Sequence, residues 1–381
     1  MYVHIPFCTR RCDYCAFATW TDQGHLIGRY VAALRTELAR GYRLGQLAPA
    51  TTVYFGGGTP SLLPAAALAS VLGEIDTLPG AEVSVECNPE STDERLLAEL
   101  AEAGVTRISL GVQSTVSHVL RGLGRDEHPG AVERAVRAIG RVGFASYNMD
   151  LIYGGAGERD EDWIATLTTV LGYDPSPSHV SAYALSVEAG TPLARDQRRH
   201  PDDDVQARRY ELADHLLTHA GLGWYEISNW ARPGHECRHN LGYWNGSDYR
   251  GIGCAAHSHR DGRRSWNVVA LERYLERVES GRDPTAGEEV LDATRRAEEA
   301  LQLQLRTRAG VPAWALSASD RAVLDGTDPL VDEDDGRLVL TLRGRLLANE
   351  VACRLRAPAQ PASGPTWDQR GIKGHENVTA C

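Results

Sequence analysis

Residues 2–17 read YVHIPFCTRRCDYCAF. A short β-rich run, YVHIPF (2–7), leads straight into a loop holding Cys8, Cys12 and Cys15 in a C-x3-C-x2-C spacing. Three thiolates do not complete a tetrahedral metal site. Structural zinc sites come as two separated cysteine pairs or as cysteine and histidine pairs, and no second pair lies at such spacing here. Iron–sulfur clusters normally take four protein thiolates. His4 is a candidate fourth ligand, but it falls inside the first predicted strand. A three-cysteine loop that follows a strand instead leaves one iron of a cluster open to a ligand from outside the protein.

Working outward, the first half of the chain alternates regularly. After the loop, Leu26, Tyr30, Leu34 and Leu38 recur at four-residue steps, with Ile27 and Val31 widening the stripe, which predicts a helix. TTVYFGGG (51–58) reads as the next strand, followed by an Ala/Leu-rich helix from Pro64. AEVSVECN (81–88) alternates as a strand does. The following helix is expected to open with a capping box from Ser91 to Glu94 and to stop near Gly104. RISLGVQS (107–114), YNMDLIYG (147–154) and HVSAYALS (179–186) supply three more strands, with helical patterns between them. Six such repeats demand a parallel sheet with right-handed crossovers. They are too few for an eight-unit barrel, so the expected fold is α/β, a partial (β/α)6 TIM-like barrel. Chemistry in such folds gathers at the C-terminal strand ends. The polar and glycine-rich segments CTRRCDYC, GGGTP, ECNPE, GVQS and MDLIYG fall there.

Past residue 203 the rhythm changes. A helix (203–220), an irregular Gly/His/Trp/Tyr-rich segment (223–267), and helices near 269–280 and 291–305 are expected. LVDEDDGRLVLT (330–341) predicts a hairpin with an Asp-Gly turn, and RGRLLANEVACRL a closing helix. The organisation expected is a barrel domain over 1–200, a smaller helical, winged-helix-like domain over 201–356, and a proline-rich disordered tail over 357–381. The NVT triplet in that tail matches a glycosylation sequon by chance.

The chain has 381 residues, 40 basic and 51 acidic, a net charge of −11. That charge argues against nucleic-acid binding, which needs a cationic surface. No apolar run reaches membrane-spanning length, and the N-terminus lacks the features of a signal peptide. A cytoplasmic protein is expected, and its cysteines, one tight cluster plus scattered single residues, read as a metal site rather than a disulfide framework.

With GGGTP (56–60) after the second strand, the cysteine loop resembles the signature of the radical S-adenosylmethionine superfamily. The resemblance implies that Cys8, Cys12 and Cys15 hold a [4Fe–4S] cluster and that S-adenosylmethionine chelates the fourth iron. YVHIPFC, GGGTPS, ECNPE, SLGVQS, GRDEH, DLIYG and SAYALS resemble, in order, segments of the oxygen-independent coproporphyrinogen oxidase group in that superfamily. By that resemblance Tyr2, Tyr14, Gly57, Gly58, Thr59, Glu86, Gln113, Arg125, Asp150 and Ala184 line the cofactor pocket. The residue chemistry agrees. Glu86 and Asp150 accept hydrogen bonds from ribose hydroxyls or an amino group, and Arg125 pairs with a carboxylate.

Two functions live in that group. The oxidases carry a further cysteine two residues after the third, where this chain has Phe17. HNLGYW (239–244) also resembles an H-N-x-x-Y-W motif of heme chaperones in the group. His239 offers an imidazole to heme iron, and Tyr243 and Trp244 offer flat faces to a macrocycle. The leading expectation is a heme chaperone that binds heme, a [4Fe–4S] cluster and S-adenosylmethionine and passes heme to an acceptor hemoprotein. The alternative is an oxygen-independent coproporphyrinogen III oxidase. A homodimer is compatible with the sequence. His235, Cys237, Cys254, His257 and His259 form a loose set, read as second heme ligands or plain loop residues.

Overall fold

The computed structural model describes residues 1–126, 128–324 and 329–355; the expected tail over 357–381 lies outside the described residues. Six parallel strands, β1 (Tyr2–Ile5), β2 (Ala50–Gly57), β3 (Thr77–Cys87), β4 (Arg107–Gln113), β5 (Ser146–Tyr153) and β6 (His179–Ala184), stand side by side in chain order. Helices connect them, as the repeat pattern requires. The architecture is the partial barrel expected.

Alternation along each strand sorts the two faces. Val53, Val85, Ile108, Leu110, Met149, Leu151 and Val180 point outward and are fully buried beneath the helix layer. The helix Ile27–Arg43 contributes Tyr30, Leu34 and Leu38, also fully buried. Each such side chain contributes about 1.5–3 kcal/mol by leaving water. The alternate positions are polar. Tyr54 pairs in register with Ser84, Glu86 with Ser109, Ser109 with Asn148, and Asp150 with Ser181. A polar lumen therefore runs through the barrel.

The segment 223–267 is more ordered than its composition predicts. β7 (Gly223–Glu226) and β8 (Asn229–Ala231) form an antiparallel pair on β6, and β9 (Gly251–Ile252) pairs with β1 on the opposite edge. The sheet order is β7-β8-β6-β5-β4-β3-β2-β1-β9. Strands of two to four residues are too short to show a period, so only pairing reveals them. Between β8 and β9 lies a short helix, Arg238–Trp244, across the N-terminal end of the barrel. We call it the floor helix.

Two local expectations change. The helix Glu94–Glu102 is capped by Asp93, which accepts from the Leu96 amide at 2.8 Å, and not by Ser91, which ends a preceding 3-10 turn. The closing helix is two, Leu342–Leu346 and Ala348–Arg354, the first capped by the Thr341 hydroxyl. The hairpin forms as expected. Its strands, Val331–Asp334 and Arg337–Leu340, meet at Asp335 and Gly336, whose positive φ values of 46° and 71° suit a tight primed turn. Leu301, Leu305, Val311, Leu316, Leu338, Leu340 and Val351 gather into a core separate from that of the barrel.

Candidate functional site

The cysteine loop stands at the C-terminal end of β1. The Cys8 amide donates to the Trp20 carbonyl (3.0 Å) and the Trp20 amide returns to Pro6 (2.8 Å), closing the loop at its base. Asp13 anchors its middle: its amide bonds Leu123, its carbonyl accepts from the Leu193 amide, and its carboxylate pairs with Arg199 at 2.7 Å. A Cβ on Gly124 would lie 2.5 Å from that carboxylate, so glycine is required there. Cys8, Cys12 and Cys15 are free thiols, each partly buried. Burial pushes the Cys8 and Cys15 thiols up, and repulsion from Cys12 adds to it at both. Holding them as thiolates therefore needs positive charge. Arg125 comes within 3.7 Å of the Cys12 sulfur, and the Thr59 hydroxyl within 3.6 Å of Cys8. Among the described residues, no three His, Cys, Asp or Glu side chains converge on the radius of one ion. The donor set fits a [4Fe–4S] group, whose chemistry is the delivery of an electron.

His4 is no ligand in this arrangement. Its Nδ1 meets the Tyr2 hydroxyl (3.0 Å) and its Nε2 the Ala18 carbonyl (2.9 Å), and burial lowers its pKa to about 4. It braces the loop as a neutral ring.

Most of the residues expected around the cofactor surround the mouth of the lumen. Gly57 ends β2 and Gly58 follows it, both pressed against the loop: a Cβ would fall 2.3 Å from His4 Nδ1 at the first and 2.6 Å from the Phe7 carbonyl at the second. The Gly57 amide donates to Glu86 Oε2 at 3.0 Å, and the Tyr54 hydroxyl to Glu86 Oε1 at 2.9 Å. Burial, then repulsion from Asp150, raises the Glu86 pKa to about 7. Asp150, also pushed up by burial, accepts from Ser109 (2.9 Å) and Asn148 (2.8 Å). Gln113 holds φ +67° where the β4–β5 register slips, and such strain re-aims a side chain. Arg125 bonds the Tyr14 hydroxyl and Asn88. Ala184 is exposed at the end of β6. Asn88 was missed as a site residue. It bridges Arg125 to the Thr59 hydroxyl at 3.2 Å, and its place in ECNPE, one residue past a strand end, was the signal.

The heme candidates lie at the other end of the barrel. Floor-helix residue His239 is 4% exposed, with Nδ1 on the Thr52 hydroxyl (2.8 Å) and Nε2 on the Tyr243 hydroxyl (2.9 Å). Its amide donates to Glu82 Oε1 at 3.0 Å, and its ring stacks on Tyr54 at 5.0 Å. Tyr243 is buried, and half-buried Trp244 hydrogen-bonds Glu226. The three therefore sit together, but not beside the cysteine loop. The looser set scatters: Cys237 approaches Glu82, Cys254 lies by the Tyr30 hydroxyl, His259 accepts from the Gly262 amide, and His257 stacks on Trp266.

The fold and the loop define a class. Residues 2–170 match the radical SAM superfamily. The structure resembles that of coproporphyrinogen III oxidase (HemN) from Escherichia coli with a TM-score of 0.78 over 92% of this chain and 88% of that one, at 23% identity, a likeness of fold. Within the class, the chain belongs to the heme chaperone HemW family. It is 44% identical over 364 residues to heme chaperone HemW of Mycobacterium tuberculosis, covering 92% of this chain and 93% of the relative. It is 37% identical to that of Synechocystis sp. (82% and 79% covered) and 36% identical to that of Escherichia coli (68% and 69%).

Proposed function

We propose that this protein is a heme chaperone: it binds heme, carries a [4Fe–4S] cluster on Cys8, Cys12 and Cys15 with S-adenosylmethionine beside it, and hands heme to an acceptor hemoprotein. Family membership supports the class of function, and the observation that carries it to this chain is the HNLGYW motif on the floor helix. His239 supplies the iron ligand, with Tyr243 and Trp244 as flat neighbours. Because Thr52 and Tyr243 occupy both ring nitrogens, ligation requires those bonds to open.

At the other end of the barrel, Gly57, Gly58 and Thr59 take the amino-acid end of the cofactor. Glu86 and Asp150 take hydroxyl or amino donors, Arg125 takes a carboxylate, and Tyr2, Tyr14, Gln113 and Ala184 complete the walls. The cysteine-loop residue Phe17 is 64% exposed at the position where the oxidases carry a further cysteine. That residue weighs against the oxidase reading, and a likeness of fold at 23% identity does not restore it.

The test is a heme titration of the purified protein and of His239→Ala. The proposal expects a shifted Soret band saturating at a stoichiometric ratio in the wild type, with affinity at least tenfold lower in the variant. Absence of saturable binding in the wild type refutes it. No described helix is long and apolar enough to cross a membrane.

A further inference from the structure

The heme motif and the cofactor pocket lie at opposite ends of one lumen, yet hydrogen bonds and stacked rings join them. Two chains run between them. In the first, the His239 ring lies on Tyr54 with centroids 5.0 Å apart and planes 20° from parallel. Tyr54 stacks on Tyr2 at 6.4 Å and donates its hydroxyl to Glu86 at 2.9 Å. In the second, Asp150 accepts from Asn148, Asn148 meets His179 Nδ1 at 2.7 Å, and His179 Nε2 meets the Tyr225 hydroxyl at 2.7 Å. That hydroxyl accepts from the amide of Cys237, the residue that caps the floor helix. One short helix thus terminates both networks that hold the pocket's two carboxylates.

We propose that His239 is a positioning residue of the S-adenosylmethionine pocket, setting Glu86 through Tyr54, so that ligand capture at the floor helix and cofactor binding at the barrel mouth are energetically coupled. This rests on the functional reading above for the identity of the two ligands. The physical argument is one of exclusion. The imidazole is packed on Tyr54 with both nitrogens engaged, so it cannot also coordinate iron. Capture pulls it from Thr52 and Tyr243 and removes the floor on which Tyr54 rests. Tyr54 then no longer fixes the Glu86 carboxylate. Two sites sharing one element that has two arrangements are coupled, and the coupling is reciprocal in binding free energy.

The experiment uses cluster-reconstituted, heme-free protein and measures S-adenosylmethionine affinity against pH by anaerobic equilibrium dialysis. Wild type, His239→Ala and Tyr54→Phe are compared, with thermal melting of each. Loss of a hydrogen bond to a charged group is worth about a tenfold change in binding. Both variants are expected to weaken the cofactor about tenfold and to move the pH midpoint set by Glu86. The groups facing that carboxylate are Asp150, Tyr2, Tyr54, Tyr183 and Tyr243. A merely structural histidine would lower the melting temperature and leave the midpoint alone, and that result overturns the proposal. Should His239→Ala not fold, Tyr54→Phe carries the test: unchanged affinity and midpoint overturn it.

A second arm titrates heme into the wild type with and without saturating cofactor. Heme that binds with equal affinity in both overturns the coupling. Heme that never binds, with the cofactor still weakened in both variants, refutes the chaperone reading and leaves the positioning role standing.

Discussion

Glu86 is where the residue chemistry becomes measurable. Desolvation and the nearby Asp150 hold its pKa near 7, against an ordinary 4.5, while Tyr54 and Gly57 pull it the other way. A raised acid favours the folded protein most when protonated. Its contribution to stability is full below pH 4.5 and is lost as pH climbs through about 7. On the proposed role of Glu86, cofactor binding runs in the opposite sense, because ribose hydroxyls or an ammonium would need the carboxylate as acceptor. Affinity for S-adenosylmethionine should therefore fall toward tenfold per pH unit below 7. Glu86→Gln should flatten that profile at a lower affinity, as read by dialysis across pH 5.5–8. A profile that keeps its slope in the variant would assign the titration to another group.

At the scale of elements, the end of β2 decides how closely the cysteine loop seats. Gly57 has φ +112°, a conformation that L side chains avoid, and a methyl group there would meet the His4 ring. Gly57→Ala is expected to cost about 2–4 kcal/mol from backbone strain and overpacking combined. Urea unfolding measures that cost, and iron analysis checks the companion effect, a lower cluster content after reconstitution. Stability and iron content equal to wild type would mean that β1 and its loop give way easily. The floor helix makes a different point. Its seven residues bury His239 through partners on β2 and β3 that are 187 and 157 positions away in sequence.

Across the whole molecule, Arg345 of the helix Leu342–Leu346 ties the smaller core to β7, the strand at the edge of the barrel sheet. Its guanidinium bonds both Asp214 oxygens, at 2.8 and 2.9 Å, and lies over Trp224 at 4.5 Å. The Arg345 side chain is 9% exposed and that of Asp214 19%, so Arg345→Ala strands a largely buried carboxylate. A loss of about 3 kcal/mol is expected in urea unfolding, and an unchanged midpoint would show that the joint is held elsewhere.

The barrel was legible in the sequence because each of its strands alternates over at least four residues and ends on a polar or glycine-rich turn. The cysteine loop was legible because it follows the first strand directly, whereas Glu86 and Asp150 were picked out by the resemblance of ECNPE and DLIYG to family segments. The floor helix, β7, β8 and β9 were not, since they fall outside the repeating strand–helix pattern and their places depend on long-range pairing. The burial of His239 was hidden in turn. HNLGYW fixes the order of its residues, but not that Tyr54 and Thr52 would close over the imidazole.

The most direct test quantifies iron, sulfide and heme in one anaerobically reconstituted, heme-loaded sample, then supplies coproporphyrinogen III with S-adenosylmethionine and a reductant. The account predicts iron and sulfide in equal amounts, heme stoichiometric with the chain, and no protoporphyrinogen IX. Protoporphyrinogen formation without stoichiometric heme would contradict it.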